Sequence, residues 1–190
     1  MSNLLDKYLL FRVVVKRDPE AFARIYDRYV VSIYRFVFVK LPSKESAEDV
    51  TSETFLRCWQ FLSQRKQITH LRALLYRIAR NLVADHYRKL GRPNLSLDHF
   101  VTFSSDDASY ISADLSDAGR GARDVFVKAE AGLLLKKMAR LKEDYQDVLS
   151  LRLIEGLSFG DIAVILEKPQ SHVRVMYHRA KKALHSERPS

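Results

Sequence analysis

The chain reads as all-α, two small helical domains joined by a flexible linker, on three observations. Apolar residues recur at helical spacing through residues 19–89 and again through residues 144–184. Caps, prolines and glycines fall at the ends of those stretches. Between them lies a Ser/Asp-rich segment with little helical periodicity. The domains are placed at 1–90 and 122–190, with 91–121 as an acidic linker. With 190 residues, 47% hydrophobic, and ten Phe and nine Tyr, each domain can bury a core without metals or disulfides.

The first expected helix opens at Asp18-Pro19-Glu20, an N-cap, a proline at the first helical position and an acidic first turn. Phe22, Ile25, Tyr26, Tyr29, Val30, Ile33, Phe36 and Val37 give it a long apolar face. Leu41-Pro42-Ser43 ends it, and Ser43 caps a second helix with Ala47, Val50, Thr54, Cys58 and Phe61 inward. Glu45, Glu48, Asp49 and Glu53 lie on the outer side of that helix, an acidic face inside a basic domain. A polar stretch, Ser63 to Gln67, leads to a third helix from about Thr69 to Lys89. Leu71, Leu74, Leu75, Ile78 and Leu82 turn inward there, while Arg72, Arg77, Arg80, Asn81, Arg88 and Lys89 point elsewhere.

The linker runs from Gly91-Arg92-Pro93 to Gly119-Arg120-Gly121, and a solvated tether is its plainest reading. Charge follows the same division: net +8 over 1–90, −3 over 91–121 and +4 over 122–190, for +9 in all.

The C-terminal domain has the layout of a helix-turn-helix. Gly156 can take the left-handed conformation that ends one helix, and Ser158 with Asp161 forms a capping box flanked by the staple pair Leu157 and Ile162. A short helix, about Phe159 to Leu166, follows. Pro169 fits the first turn of the last helix, which runs to about Leu184. Val173, Met176, Tyr177, Ala180 and Leu184 pack inward, whereas His172, Arg174, Val175, His178, Arg179, Lys181 and Lys182 form a contiguous, largely basic outer face. An ordinary solvated face is the plainer reading of a lone basic helix. Cap, turn and charge together point instead to duplex DNA, because arginine addresses the acceptor edge of guanine and lysine neutralises phosphate.

A single cysteine, Cys58, excludes an internal disulfide and any zinc knuckle built on paired thiolates, and cytoplasmic localisation is expected. The N-terminus, where Asp6, Lys7, Arg12, Lys16 and Arg17 interrupt Leu and Val, has neither a membrane-length apolar run nor a signal-peptide layout. An enzyme is not expected. His70, His86, His99 and Asp85 are its only seeds; Asp85 and His86 are neighbours rather than an i, i+4 metal pair, and no phosphate loop appears. No cofactor or metal is expected either.

Two motifs carry a family resemblance. Ala47-Glu48-Asp49-Val50-Thr51-Ser52-Glu53-Thr54-Phe55-Leu56-Arg57-Cys58-Trp59, followed by Leu75-Tyr76-Arg77-Ile78-Ala79-Arg80-Asn81-Leu82-Val83-Ala84-Asp85, resembles region two of extracytoplasmic-function (ECF) sigma factors, and the C-terminal helix-turn-helix resembles their region four. The resemblance covers most of 19–89 and 125–184, in the family's order. It implies a protein that binds core RNA polymerase, directs it to promoters and melts the start of the bubble. It further implies that Asp49, Ser52 and Glu53 dock on the coiled coil of the largest polymerase subunit. Arg65, Lys66, His70, Arg77, Arg80, Asn81 and Arg88 would meet the minus-ten element and its displaced strand. His172, Arg174, Val175, His178, Arg179, Lys181 and Lys182 would meet the minus-thirty-five duplex. An anti-sigma partner is implied by the family alone.

The segment Ser63 to His70 holds no Phe, Tyr or Trp, so base capture there would rest on polar pockets rather than stacking. Two positions depart from the family pattern: Glu167 stands where a glycine is usual, and Lys168 where an apolar residue is common. A conventional dimeric helix-turn-helix regulator, with residues 19–89 as dimerisation or sensor domain, is the alternative. The acidic Asp49–Glu53 face favours a polymerase dock.

Overall fold

The computed structural model describes residues 2–64, 68–91 and 133–186. Among them there are helices and turns and no strand. The expected linker, 91–121, lies outside the described residues beyond Gly91, as do Arg65 and Lys66.

Four helices build the first domain: α1 (Ser2–Lys16), α2 (Pro19–Phe38), α3 (Lys44–Ser63) and α4 (Leu71–Lys89). Asp18 caps α2 as its sequence suggests, its Oδ1 accepting from the backbone N–H of Glu20 at 2.9 Å and of Ala21 at 3.2 Å. The Ser43 Oγ caps α3, accepting from the N–H of Ser46 at 3.2 Å. α4 begins at Leu71, two residues later than its periodicity suggests, with His70 as an N-cap that makes no side-chain bond. It closes on Gly91, whose φ of +70° is the left-handed conformation of a helix C-terminus.

α1 was not anticipated as a helix. Leu9, Leu10 and Val13 are buried while Leu4, Leu5, Tyr8, Phe11 and Val15 are exposed, so apolar residues lie all round it and the 3.6-residue pattern is flattened. Its one buried acid, Asp6, explains how it attaches. The Tyr29 hydroxyl donates to Asp6 Oδ2 at 2.6 Å, and Arg28 Nε lies 3.4 Å from Oδ1.

Ala21, Ile25, Tyr29, Ile33, Phe36 and Val37 of α2 meet Ala47, Val50, Phe55, Cys58 and Leu62 of α3 in the core of this domain. Four residues of α2 and α3 expected to point inward do so only in part: Tyr26 is 40% exposed, its ring 4.7 Å from that of Phe55, and Phe22, Val30 and Phe61 are half-buried. Burial without a partner charge pushes the Cys58 thiol up to about 12.

The second domain comprises helical residues 133–139, called α5, then α6 (Glu143–Leu149), which runs on as a π-helical turn, Ser150–Ile154. α7 (Phe159–Leu166) and α8 (Gln170–Ser186) follow. Leu135, Met138, Leu141, Val148, Leu149, Leu151, Ile162, Ile165, Val173, Met176, Ala180 and Leu184 form its core.

The two domains pack together, α4 against α7 and α2 against the π-helical turn. A solvated tether between them predicts instead domains that stand apart when unbound. α4 buries Tyr76, Ala79, Val83 and Tyr87 besides its predicted stripe, because α2 and α3 cover it as well as α7.

Candidate nucleic-acid interface

The turn between α6 and α7 is set by Gly156, at φ +63°, and by Ser158. The Ser158 Oγ accepts from the N–H of Asp161 at 3.1 Å and donates to its Oδ2 at 2.6 Å. Asp161 thus pairs with the capping hydroxyl rather than reaching back to the Ser158 N–H, which is half of the reciprocal box expected there. Between α7 and α8 stands Glu167, at φ +54°, in the left-handed conformation for which glycine is the usual residue. The turn therefore keeps its shape with a side chain in place of the missing glycine. Pro169 accepts the first bond of α8, from the N–H of Val173 at 3.1 Å.

Val173, Met176, Ala180 and Leu184 are buried and Tyr177 is half-buried, which fixes the rotation of α8. His172, Arg174, Val175, His178, Arg179, Lys181 and Lys182 are all exposed in consequence and form one face. Phe159 anchors this face to the turn: its ring centre lies 5.5 Å from that of Tyr177, and the guanidinium carbons of Arg152 and Arg174 stand 4.8 and 5.6 Å from it. A helix of this kind presents guanidinium, imidazole and ammonium donors over about three turns, the reach needed along a major groove.

On α3, Asp49 and Ser52 are exposed, and Glu53 is partly covered by Arg57, whose Nε lies 2.7 Å from Glu53 Oε1. Leu56, 50% exposed, continues that line one turn on, so the outer face of α3 is not acidic alone.

α4 divides its polar residues between solvent and the second domain. His70 and Asn81 are exposed, and exposed Arg88 pairs with Asp85 at 2.7 Å. Arg77 is paired with Glu167. Arg80 meets three acids of α6: Nη2 is 3.1 Å from Asp144 Oδ1, and Nε is 2.7 Å from Asp147 Oδ2 and 3.6 Å from Glu143 Oε1. Lys40, just past α2, is paired with the same Asp147; their side chains are 1% and 0% exposed. Burial pushes the Lys40 ammonium below its usual range, while Asp147 and Glu143 oppose that shift. Nothing in the sequence alone singles out these acids or Lys40. Their signal was the spacing of Glu143, Asp144 and Asp147 along one helical turn, which becomes legible only when a basic helix is known to face it.

Beside this cluster, Arg28, Tyr29, Ser32, Arg72, Tyr76, Glu155 and Leu157 line a cavity of about 220 Å³ at the domain junction. Burial raises the Glu155 carboxyl above its ordinary range, against hydrogen bonds from Ser32 and Tyr76 that lower it. No group of residues suited to a metal ion occurs among the described residues, and none of their helices is long and apolar enough to cross a membrane.

Comparison with known proteins bears on both domains. Residues 25–93 match the family model described as Sigma-70 region 2, and residues 131–184 match Sigma-70, region 4. The chain is 31% identical over 185 residues to the ECF RNA polymerase sigma factor SigW of Bacillus subtilis, covering 97% of this chain and 96% of that one. It is 32% identical over 168 residues to the ECF RNA polymerase sigma factor BldN of Streptomyces coelicolor, covering 88% of this chain but spanning 60% of that relative's length. The RNA polymerase sigma-H factor of Pseudomonas aeruginosa is 28% identical over 181 residues. In fold, the chain is similar to CnrH, solved in complex with the cytosolic domain of CnrY, at a TM-score of 0.64 and 20% identity over 96% of each chain.

Proposed function

Because the chain belongs to the extracytoplasmic-function group of the sigma-70 family, we propose that it binds core RNA polymerase, directs it to specific promoters and opens the start of the bubble. It is a non-catalytic initiation factor working where the polymerase works, in the cytoplasm. Membership in this family disfavours the dimeric-regulator alternative.

The observation that carries the reading is the face of α8. Seven residues, His172, Arg174, Val175, His178, Arg179, Lys181 and Lys182, are exposed together on the helix that follows a helix-turn-helix turn. They are the groups proposed to read and clamp the minus-thirty-five duplex. Arginine supplies discrimination between base pairs and lysine supplies phosphate neutralisation. On the first domain, Asp49, Ser52 and Glu53 are proposed to dock on polymerase. Arg65, Lys66, His70, Arg77, Arg80, Asn81 and Arg88 are proposed to hold the minus-ten strand. An anti-sigma protein is the proposed regulator.

Run-off transcription with core polymerase tests the whole reading. The chain should convert core enzyme from end-dependent to promoter-dependent initiation, with mapped start sites sharing two spaced elements upstream. Initiation at the same sites with and without the chain would refute it.

A further inference from the structure

α1 carries apolar residues on two opposite sides. Leu9, Leu10 and Val13 are buried against the rest of the first domain, and Asp6 pins that side through Tyr29 and Arg28. Leu4, Tyr8, Phe11 and Val15 face away from it, each more than half exposed. Apolar side chains scattered singly over a surface need no explanation. These four stand at i, i+4, i+7 and i+11, so they form one line along the helix. Alternating steps of four and three residues are those of the seam of a coiled coil, with Tyr8 and Val15 at its a positions and Leu4 and Phe11 at its d positions. The flanking e and g positions are Leu5, Lys7, Arg12 and Val14, so a cation stands on each side of the line. Lys16 and Arg17 add positive charge at its end, while the one acid of α1, Asp6, lies on the buried side.

We infer that α1 is a docking surface for a helix of a partner protein other than the polymerase, one with an apolar stripe at heptad spacing and Asp or Glu on both sides of it.

Width and charge choose this occupant. A line one side chain wide is the seam of a helix pair, whereas a helix lying in a lipid surface needs a broader apolar face. A parallel second copy would set Lys7 of one helix against Arg12 of the other, like charge on like, and in either direction it would bring together two domains of net +8 each. Carboxylates at the partner's e and g positions meet those cations instead. The dock proposed for polymerase on α3 presents Asp49 and Glu53 and so selects a basic surface, the reverse of what α1 selects. Arg12 is paired with Asp18, and its guanidinium carbon stands 5.9 Å from the centre of the Tyr8 ring, beside the seam. α1 is already folded and held, so an incoming helix bears only the cost of its own ordering.

The probes are two labelled helical peptides of three heptads, both with Leu at a and d, one with Glu and the other with Lys at e and g. Like charges keep each from pairing with itself. Binding to the full chain is read by fluorescence polarisation. The Glu-flanked peptide should bind saturably, and the Lys-flanked peptide at least about tenfold more weakly. Tyr8→Ser with Phe11→Ser should lower affinity for the Glu-flanked peptide at least about tenfold, as truncating the central anchors of an interface does. Helix content and melting temperature should stay near the parent's, because both side chains are exposed. Lys7→Glu should weaken the Glu-flanked peptide and strengthen the Lys-flanked one, an exchange that a folding defect does not produce.

Equal binding of the two peptides by the parent, or no saturable binding of either, overturns the inference. So does a Tyr8→Ser, Phe11→Ser chain with the parent's affinity, since the acidic peptide is then held by the charge of the domain alone. Self-association of the parent that this double change abolishes, read by sedimentation, gives the stripe to a second copy. Co-sedimentation of the parent but not the double variant with phosphatidylglycerol vesicles gives it to a lipid surface. Loss of promoter-dependent transcription by the double variant with core enzyme gives it to the polymerase. Each of these three results also overturns the inference.

Discussion

Tyr87 donates its phenolic hydroxyl to the main-chain carbonyl of Lys40, 2.6 Å away and buried. The bond ties the end of α2 to the last turn of α4 at the point where Lys40 turns toward Asp147. Burial raises the Tyr87 phenol above its usual range, so it is a neutral donor throughout the physiological span. One side chain thus holds both the bundle and the cation that meets the second domain.

Tyr87→Phe removes this donor and leaves a buried carbonyl without its partner. It should destabilise the chain by about 1–3 kcal/mol. Chemical denaturation would read this as a lower midpoint with an unchanged slope.

Asp49 and Glu53 are proposed to face polymerase. Changing both to Lys should weaken assembly with core enzyme while thermal stability moves by no more than about 0.5 kcal/mol, as surface changes do. The Arg57–Glu53 pair lost in the process is about half exposed and contributes little. Unchanged affinity for core, measured by competition with another sigma factor, would remove α3 from the docking surface.

On α8, Arg174→Ala or Arg179→Ala should each cost about 1–3 kcal/mol of promoter binding and relax preference at particular upstream positions. Lys182→Ala should weaken binding evenly across sequences and flatten its salt dependence. Binding of promoter variants by holoenzyme at several salt concentrations separates the two. An equal loss for every sequence from both arginine changes would make α8 an electrostatic clamp without a reading role.

Glu155 predicts a pH effect whose sign follows from its raised carboxyl. Just above the ordinary glutamate range the unfolded chain gives up this proton while the folded chain still holds it. Its contribution to stability is therefore full below that range and declines as pH rises through the folded value. Glu155→Gln keeps a neutral group beside Ser32 and Tyr76 and removes the decline. The melting temperature of the variant minus that of the parent should become more positive from pH 4 to pH 8, roughly the span over which a raised carboxyl titrates. A difference that stays flat with pH would show that Glu155 does not titrate differently on folding.

What was legible in the sequence is what local chemistry dictates. Asp18, Ser43, Gly156 and Ser158 mark helix ends because each meets a backbone need within a few residues, and the structure places them so. The α8 face was legible because one stripe of apolar residues sets a rotation and hence everything opposite it. α1 was not, because Leu4, Tyr8, Phe11 and Val15 add an outer apolar stripe to the inner one. Nor was the domain junction: Lys40 and Asp147 are 107 positions apart, and no periodicity links a cation after one helix to an acid on another. Glu167 shows a third case. A missing glycine suggested an altered turn, yet the residue adopts the glycine's backbone conformation and uses its side chain against Arg77.

Cys58 lies at the centre of the first domain, with no solvent access and a thiol that stays protonated up to about 12. A thiol reagent needs both a thiolate and a path to it, so the intact bundle presents neither. The rate at which such a reagent consumes the sole cysteine consequently measures how often α2, α3 and α4 come apart, in a chain that needs no engineered probe. The same silence lets dyes be placed on introduced cysteines elsewhere without first replacing the native one.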